Sequence, residues 1–341
     1  MFVSLPVESQ AAKRVKNVIY MIGDGMGLTQ FTSAMIEKGS PLAIQRAQYV
    51  GLQTTHSGNN EVTDSAAAGT ALATGTKTYN GAIGVDVDRD PVESVLERSK
   101  RNGLSTGMAV TYSITNATPA AFVAHVRDRG MENEIAEYIL NSDIDVFMGG
   151  GFQFFEKRND GRNISNEMRD KGYTIVYSMD DVKNSNSNKL GALLADNAMP
   201  VMKNGRGPML PDATAKALQI LSQNKKGFFL MVEGSQIDGG GHDNNGEKVV
   251  LETLDFDDAV KIAFDFADRN PGTLVVVTAD HETGGMSLPE KSRKVSHAFS
   301  TGGHTGVMVP IYAYGTGAEQ FSTIMDNIDI PKKIEALMRL K

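Results

Sequence analysis

The stretch VKNVIYMIGDG, residues 15–25, decides the fold. Val15 to Ile22 reads as a buried strand, because a continuous rather than alternating apolar run implies cover on both faces. The run ends on Gly23-Asp24-Gly25, a tight turn that carries a carboxylate. The same grammar recurs downstream. Phe228 to Val232 (FFLMV) runs into Glu233-Gly234, and Thr273 to Thr278 (TLVVVT) runs into Ala279-Asp280-His281. Met108 to Tyr112 and Ile144 to Met148, the latter followed by three glycines, read as two more strands. Between them lie stretches with helical spacing: Val92 to Asn102, Met131 to Leu140, Pro211 to Gln223 and Glu247 to Arg269. In the last, Leu251, Leu254, Ile262 and Phe266 share a face. The alternation predicts an α/β fold, a doubly wound and mostly parallel sheet with helices on both faces. It also predicts one domain over residues 1–341, with loop and helix decoration around 152–209.

The chain has 341 residues, with Lys+Arg 34 against Asp+Glu 41, a net charge of −7 and no cysteine. Zero cysteines exclude disulfides, thiolate metal sites, iron–sulfur clusters and cysteine nucleophiles. The acidic balance, without a basic patch, argues against a nucleic-acid partner. No apolar run approaches the ~20 residues that a membrane helix needs. Met1 to Ala12 lacks the basic and apolar regions of an intact signal peptide. That leaves a cytoplasmic protein, or a mature form with a start Met added.

In open α/β sheets, ligands bind beyond the carboxyl ends of the strands. Three predicted strands deliver Asp24, Glu233 and the pair Asp280-His281 to that edge. Asp238 and His242 follow close behind Glu233, and His304 stands in Gly302-Gly-His-Thr-Gly306. A single Asp at a strand end is ordinarily a turn or a cap. Three of six histidines beside glycines and acids at strand ends point instead to metal, and a sulfur-free O/N set suits Zn²⁺ or Mg²⁺.

Thr63-Asp64-Ser65 precedes an alanine run and marks a helix N-terminus. Ser65 is there either a plain cap or a nucleophile placed where backbone N–H groups attract phosphate. In Thr115 to Arg129, Thr118 could cap a helix beginning at Pro119. Arg127 and Arg129 follow about three turns on, and a guanidinium fork suits phosphate oxygens. His56, His125 and His297 read as structural, His125 within that helix.

These residues resemble the alkaline phosphatase family. The matching motifs are residues 17–26 (NVIYMIGDGM), 63–71 (TDSAAAGTA), 117–121 (ATPAA), 232–238 (VEGSQID) with His242, 277–284 (VTADHETG) and 303–306 (GHTG), in the family's order. The resemblance implies a broad-range phosphomonoesterase acting at alkaline pH. Ser65 would form a phosphoseryl intermediate, and Arg129 would clamp two phosphate oxygens with Asp64 orienting it. Asp238, His242 and His304 would hold one Zn²⁺; Asp24, Asp280 and His281 a second. Asp24 would also bridge to a Mg²⁺ held with Thr118 and Glu233. The resemblance further implies phosphomonoesters and inorganic phosphate as partners, a homodimer, and a periplasmic or secreted protein whose leader has been removed.

Two positions depart from the family. Asn116 replaces the usual Asp or His beside the third metal, so occupancy or identity of that ion is in question. Gly239 replaces a Lys, His or Trp that supports bound phosphate, which predicts weak product inhibition. The run Gly239-Gly240-Gly241 predicts a loosened loop before His242 and easier zinc loss. The chain is also compact for the family. The alternatives are a related phosphodiesterase, phosphomutase or sulfatase, or a non-catalytic phosphate- or metal-binding relative. A missing cysteine disfavours the sulfatase, and Asp64-Ser65-Ala66 disfavours the diesterase, whose nucleophile is often Thr.

Overall fold

The computed structural model describes residues 14–341; the reading of Met1 to Ala12 lies outside them. Eight strands come first in the chain: β1 (Asn17–Gly23), β2 (Tyr49–Thr54), β3 (Ser105–Ser113), β4 (Val146–Gly150), β5 (Thr174–Val176), β6 (Leu190–Leu193), β7 (Phe228–Gly234) and β8 (Thr273–Thr278). With Val309–Gly315 and Ile324–Asp326 they form one ten-stranded sheet. Its order is Ile324–Asp326, β2, Val309–Gly315, β8, β1, β7, β3, β4, β6, β5. Val309–Gly315 runs antiparallel to β8 and β2, and the remaining neighbours pair in parallel.

β1 is central, and its two faces feed two separate cores. Val18, Tyr20 and Ile22 pack into one cluster with Phe122 and Phe229. Ile19 and Met21 pack into the other with Phe228, Phe256 and Phe264. Burial on both faces is what the unbroken apolar run requires. All five strands read from the sequence are present, most with ends shifted by a residue or more, as are the four helices.

The structure corrects three details. The segment around 152–209, expected to be loop and helix, supplies β5 and β6 to the sheet edge. At three and four residues these strands are too short to show an apolar run. On the long helix Gly246–Arg269 the shared face read from the sequence packs only at the margin of the second core, through Leu254, Ile262 and Phe266. Leu251, Leu254, Ile262 and Phe266 are only partly buried, while Val249, Thr253, Phe256, Val260 and Ala263 face the core. Thr and Ala hid that stripe, since close packing against a sheet favours small residues that score as weakly apolar. Finally, the helix expected from Pro119 spans only Ala117–Ala120, with Asn116 rather than Thr118 at its N-cap position. The chain then turns back, pairing Val126 with Ile83 in an isolated bridge. His125 and Arg129 therefore stand outside any helix.

Candidate active site

The sheet register places the acids. Ile22 pairs with Glu233 on one side and with Thr278 on the other. Asp24 and Asp280 thus lie just beyond the carboxyl ends of adjacent strands, next to Glu233 at the end of β7. The next segment, helix Ile237–His242, sets Asp238 and His242 four residues apart on one face. His304 arrives on a two-residue strand paired with Glu282–Thr283. Glu282 ties this hairpin down: it accepts from Gln30 Nε2 at 2.7 Å, from Met286 N at 3.0 Å and from Thr305 Oγ1.

Every proposed ligand histidine has its Nδ1 occupied. Nδ1 of His242 meets Gly302 O at 2.7 Å, Nδ1 of His304 meets Thr63 O at 2.8 Å, and Nδ1 of His281 meets Thr283 Oγ1 at 3.2 Å. The Nε2 atoms therefore face inward, the arrangement in which an outer partner fixes a metal-binding tautomer. Nε2 of His242 and Nε2 of His304 stand 3.2 Å apart, and Nε2 of His242 is 3.1 Å from Asp238 Oδ2. Two ring nitrogens aimed at each other beside a carboxylate are what a cation between them resolves. Ligand atoms of Asp238, His242 and His304 all lie within 4.8 Å of one another, as do those of Asp24, Asp238 and His281. The second grouping has Asp238 where the resemblance implies Asp280. Asp280 nonetheless adjoins it, with Oδ2 3.1 Å from His281 Nε2 and Oδ1 taken by the N–H groups of Gly25 and His281.

Three buried oxygens around this point have no hydrogen-bond partner, Asp24 Oδ1, Glu233 Oε1 and Thr118 Oγ1, and Asp280 Oδ2 has only its contact with His281 Nε2. Orphaned oxygens of this kind are costly unless a cation satisfies them. The donor set therefore fits divalent metals, with imidazole and carboxylate for Zn²⁺ and an all-oxygen corner at Glu233 and Thr118 for Mg²⁺.

The electrostatics carry the same strain. Burial, then the charges of Asp280, Asp238 and Glu233, push the Asp24 carboxyl well up. Burial pushes Glu233 up to about 8. Burial also raises Asp238, but the His242 hydrogen bond and the His281 charge outweigh it and hold the carboxyl well below the usual range. His242, hydrogen-bonded to Asp238, is pushed up to about 9.

Ser65 is the first residue of helix Ser65–Thr74 and is buried; its Oγ lies 3.2 Å from His281 Nε2. Asp64, not Ser65, caps the helix: its Oδ1 accepts from Ala67 N at 3.0 Å. Asp64 Oδ2 accepts from Gly81 N at 3.0 Å and from Arg129 Nη1 at 3.3 Å, so the cap also holds the arginine. Arg127 is exposed. Ser65, Arg129, Asp24, Asp238, His242 and Asn116 line one cavity of about 320 Å³.

Sequence reading missed Tyr112, Gln236, Asp243 and Lys248 on the same cavity wall. Tyr112 ends a strand already recognised and Gln236 stands inside a quoted motif, so their positions were legible in principle; Lys248, on a helix ten residues past Asp238, gave no signal. The three remaining histidines are engaged elsewhere: His125 with Gly84 O and Glu97, His297 with Ser33, His56 with Asp326. The glycine run is also corrected. It lies within helix Ile237–His242, where a Cβ at 240 would meet Val249 N at 2.8 Å and one at 241 would meet Thr283 O at 2.7 Å. These two glycines permit close backbone approach rather than loosening a loop.

The alkaline phosphatase family model matches residues 15–296. Alkaline phosphatase 4 of Bacillus subtilis is 40% identical over 308 residues, covering 85% of this chain and 66% of that protein. Alkaline phosphatase of Escherichia coli K12 is 33% identical, covering 98% of this chain and 88% of that one. The latter alignment runs over 416 residues against a chain of 341, so that relative carries insertions this chain lacks. The solved alkaline phosphatase from the Antarctic bacterium TAB5 is 42% identical, with a TM-score of 0.93, covering 97% of this chain and 99% of that one. A histidine-to-aspartate variant of that enzyme holds Mg in a site named M3. With the fold, the order of motifs and the convergence of acids, histidines and Ser65 in agreement, the chain belongs to the alkaline phosphatase family of phosphomonoester hydrolases.

Proposed function

We propose that this chain hydrolyses a broad range of phosphate monoesters at alkaline pH through a phosphoserine on Ser65, with two Zn²⁺ and one Mg²⁺ per chain. One observation carries the reading: a buried serine heads a helix, 3.2 Å from an imidazole nitrogen of the ligand cluster, on a cavity shared with an arginine. Asp238, His242 and His304 would hold one Zn²⁺, Asp24, Asp280 and His281 the other, and Thr118 and Glu233, with Asp24, the Mg²⁺. When bound, these ions supply Lewis acidity and neutralise charge at the attacking and leaving oxygens.

The chain's own groups then divide the work. The N-terminal end of helix Ser65–Thr74 favours negative charge on Ser65 Oγ. Arg129, held by Asp64, binds two phosphate oxygens and keeps the phosphorus in line with Oγ. Ser65 Oγ gives up its proton to solvent as the Oγ–P bond forms and the ester P–O bond breaks, and the leaving oxygen takes a proton from water. Water then attacks the phosphoserine, the Oγ–P bond breaks, and inorganic phosphate and a protonated Ser65 remain. Asn116, at the N-cap position of Ala117–Ala120 on the cavity wall, is the residue expected to tune the third ion.

We extend the family's habit to this chain: a homodimer, periplasmic or secreted. Among the described residues no helix is long and apolar enough to cross a membrane. The test of the reaction is release of p-nitrophenol from its phosphate at alkaline pH, before EDTA, after EDTA, and after Zn²⁺ and Mg²⁺ are restored. Activity that vanishes and returns supports the proposal; activity indifferent to prolonged EDTA, or absent from metal-loaded protein, rejects it.

A further inference from the structure

Lys248 reaches the cavity from a helix that carries none of the proposed metal ligands. It is the third residue of helix Gly246–Arg269, and its backbone N–H donates to the cap Asn245 Oδ1 at 3.1 Å. From there the side chain runs over helix Ile237–His242. A Cβ built on Gly239 would stand 2.9 Å from Lys248 Nζ and 3.4 Å from its Cε. The ammonium thus occupies the place that any side chain at 239 would claim.

Its ion pair is lopsided. Nζ donates to Asp243 Oδ2 at 2.9 Å, yet the Lys248 side chain is 19% exposed and that of Asp243 61%. A lysine at the edge of a protein ordinarily extends its charge outward into water. Here the ammonium is the better buried member of the pair, while its acid, also on the cavity wall, stays largely in solvent. Among the described residues, Arg129 and Lys248 are the two Lys or Arg side chains lining the cavity. Arginine's planar fork binds two oxygens of a phosphate, whereas a compact ammonium with rotatable donors suits a single remaining oxygen.

We infer that Lys248 is a phosphate-positioning residue of this site, an inference that rests on the phosphatase reading above. Its ammonium exchanges Asp243 for an oxygen of bound phosphate, and Gly239 is the residue that lets it through. The bare backbone at 239 therefore does not leave the wall without a cation, and weak product inhibition no longer follows from Gly239 alone.

The experiment is calorimetric titration of inorganic phosphate into Zn²⁺- and Mg²⁺-loaded protein, with steady-state kinetics on p-nitrophenyl phosphate beside it. Lys248→Met keeps the stem and removes the charge. It is expected to weaken phosphate binding and raise KM about tenfold, the scale of one charge-assisted hydrogen bond, with kcat not reduced and thermal stability kept. Asp243→Asn releases the ammonium and is expected to tighten phosphate binding severalfold, a gain that a merely structural pair would not give. Equal phosphate affinity in wild type and Lys248→Met, or no tightening in Asp243→Asn, overturns the assignment while leaving the phosphatase reading intact. Wild-type protein that neither binds phosphate nor turns over p-nitrophenyl phosphate removes both.

Discussion

Ser65 and Asp64 divide two tasks that a sequence motif cannot separate. Asp64 caps the helix and holds Arg129, which leaves the Ser65 hydroxyl free toward His281. Ser65→Ala is expected to reduce turnover by roughly a thousandfold or more while metal binding survives, since loss of a nucleophile removes the covalent route itself. Asp64→Asn keeps an oxygen for the cap but drops the charge that steadies Arg129. Its expected effect is a KM and a phosphate inhibition constant raised about tenfold, with the melting temperature nearly kept. Retention of wild-type KM would separate Arg129 from Asp64.

His125 gives a pH prediction away from the ligands. Burial lowers its pKa, but the Glu97 ion pair and the Gly84 carbonyl outweigh this, and the net shift is upward. A raised folded value means that the pair stabilises fully below the unfolded histidine value and loses this as pH rises through the folded one. Denaturant melts of His125→Gln should show a larger penalty at pH 6 than at pH 9; equal penalties would contradict the assignment.

At the scale of elements, what the sequence made legible was whatever a long buried strand carries. Asp24, Glu233, Asp280 and His281 were readable because each follows an apolar run whose end is fixed by the sheet. β5, β6 and Ile324–Asp326 were not, because three or four residues at an edge hold too little pattern. Val309–Gly315 was hidden differently: Pro310 interrupts it, and the antiparallel pairing on both sides has no local signature. Long-range anchors were invisible for a similar reason. Arg206, fully buried, joins Glu252 and Asp255 of helix Gly246–Arg269, and Glu252 also accepts from Met202 N at 2.8 Å. This triad pins residues 202–206 to the helix. Arg206→Met should cost about 3–5 kcal/mol by leaving two buried acids unpaired. The same change with Glu252→Gln and Asp255→Asn should cost less, and denaturant melts of the two variants test the order.

For the whole molecule, the site is a debt that the fold incurs at one sheet edge. Orphaned oxygens of Asp24, Glu233 and Thr118, the crowded carboxylate of Asp280, and two imidazole nitrogens 3.2 Å apart are held together by a sheet buried on both faces. Ions that bind only the folded state repay this by mass action. Chelation should therefore lower the melting temperature by roughly 5–10 °C, and Zn²⁺ with Mg²⁺ should restore it. An unchanged melting temperature would mean that the cluster is stable without metal. Covalent catalysis on Ser65 has a more direct test: rapid acid quench of metal-loaded enzyme turning over p-nitrophenyl phosphate, followed by mass spectrometry of the peptide that contains residue 65. A phosphoryl group on Ser65 is expected, absent after EDTA and in Ser65→Ala. Steady hydrolysis by Ser65→Ala, or a phosphoryl group on another residue, would contradict it.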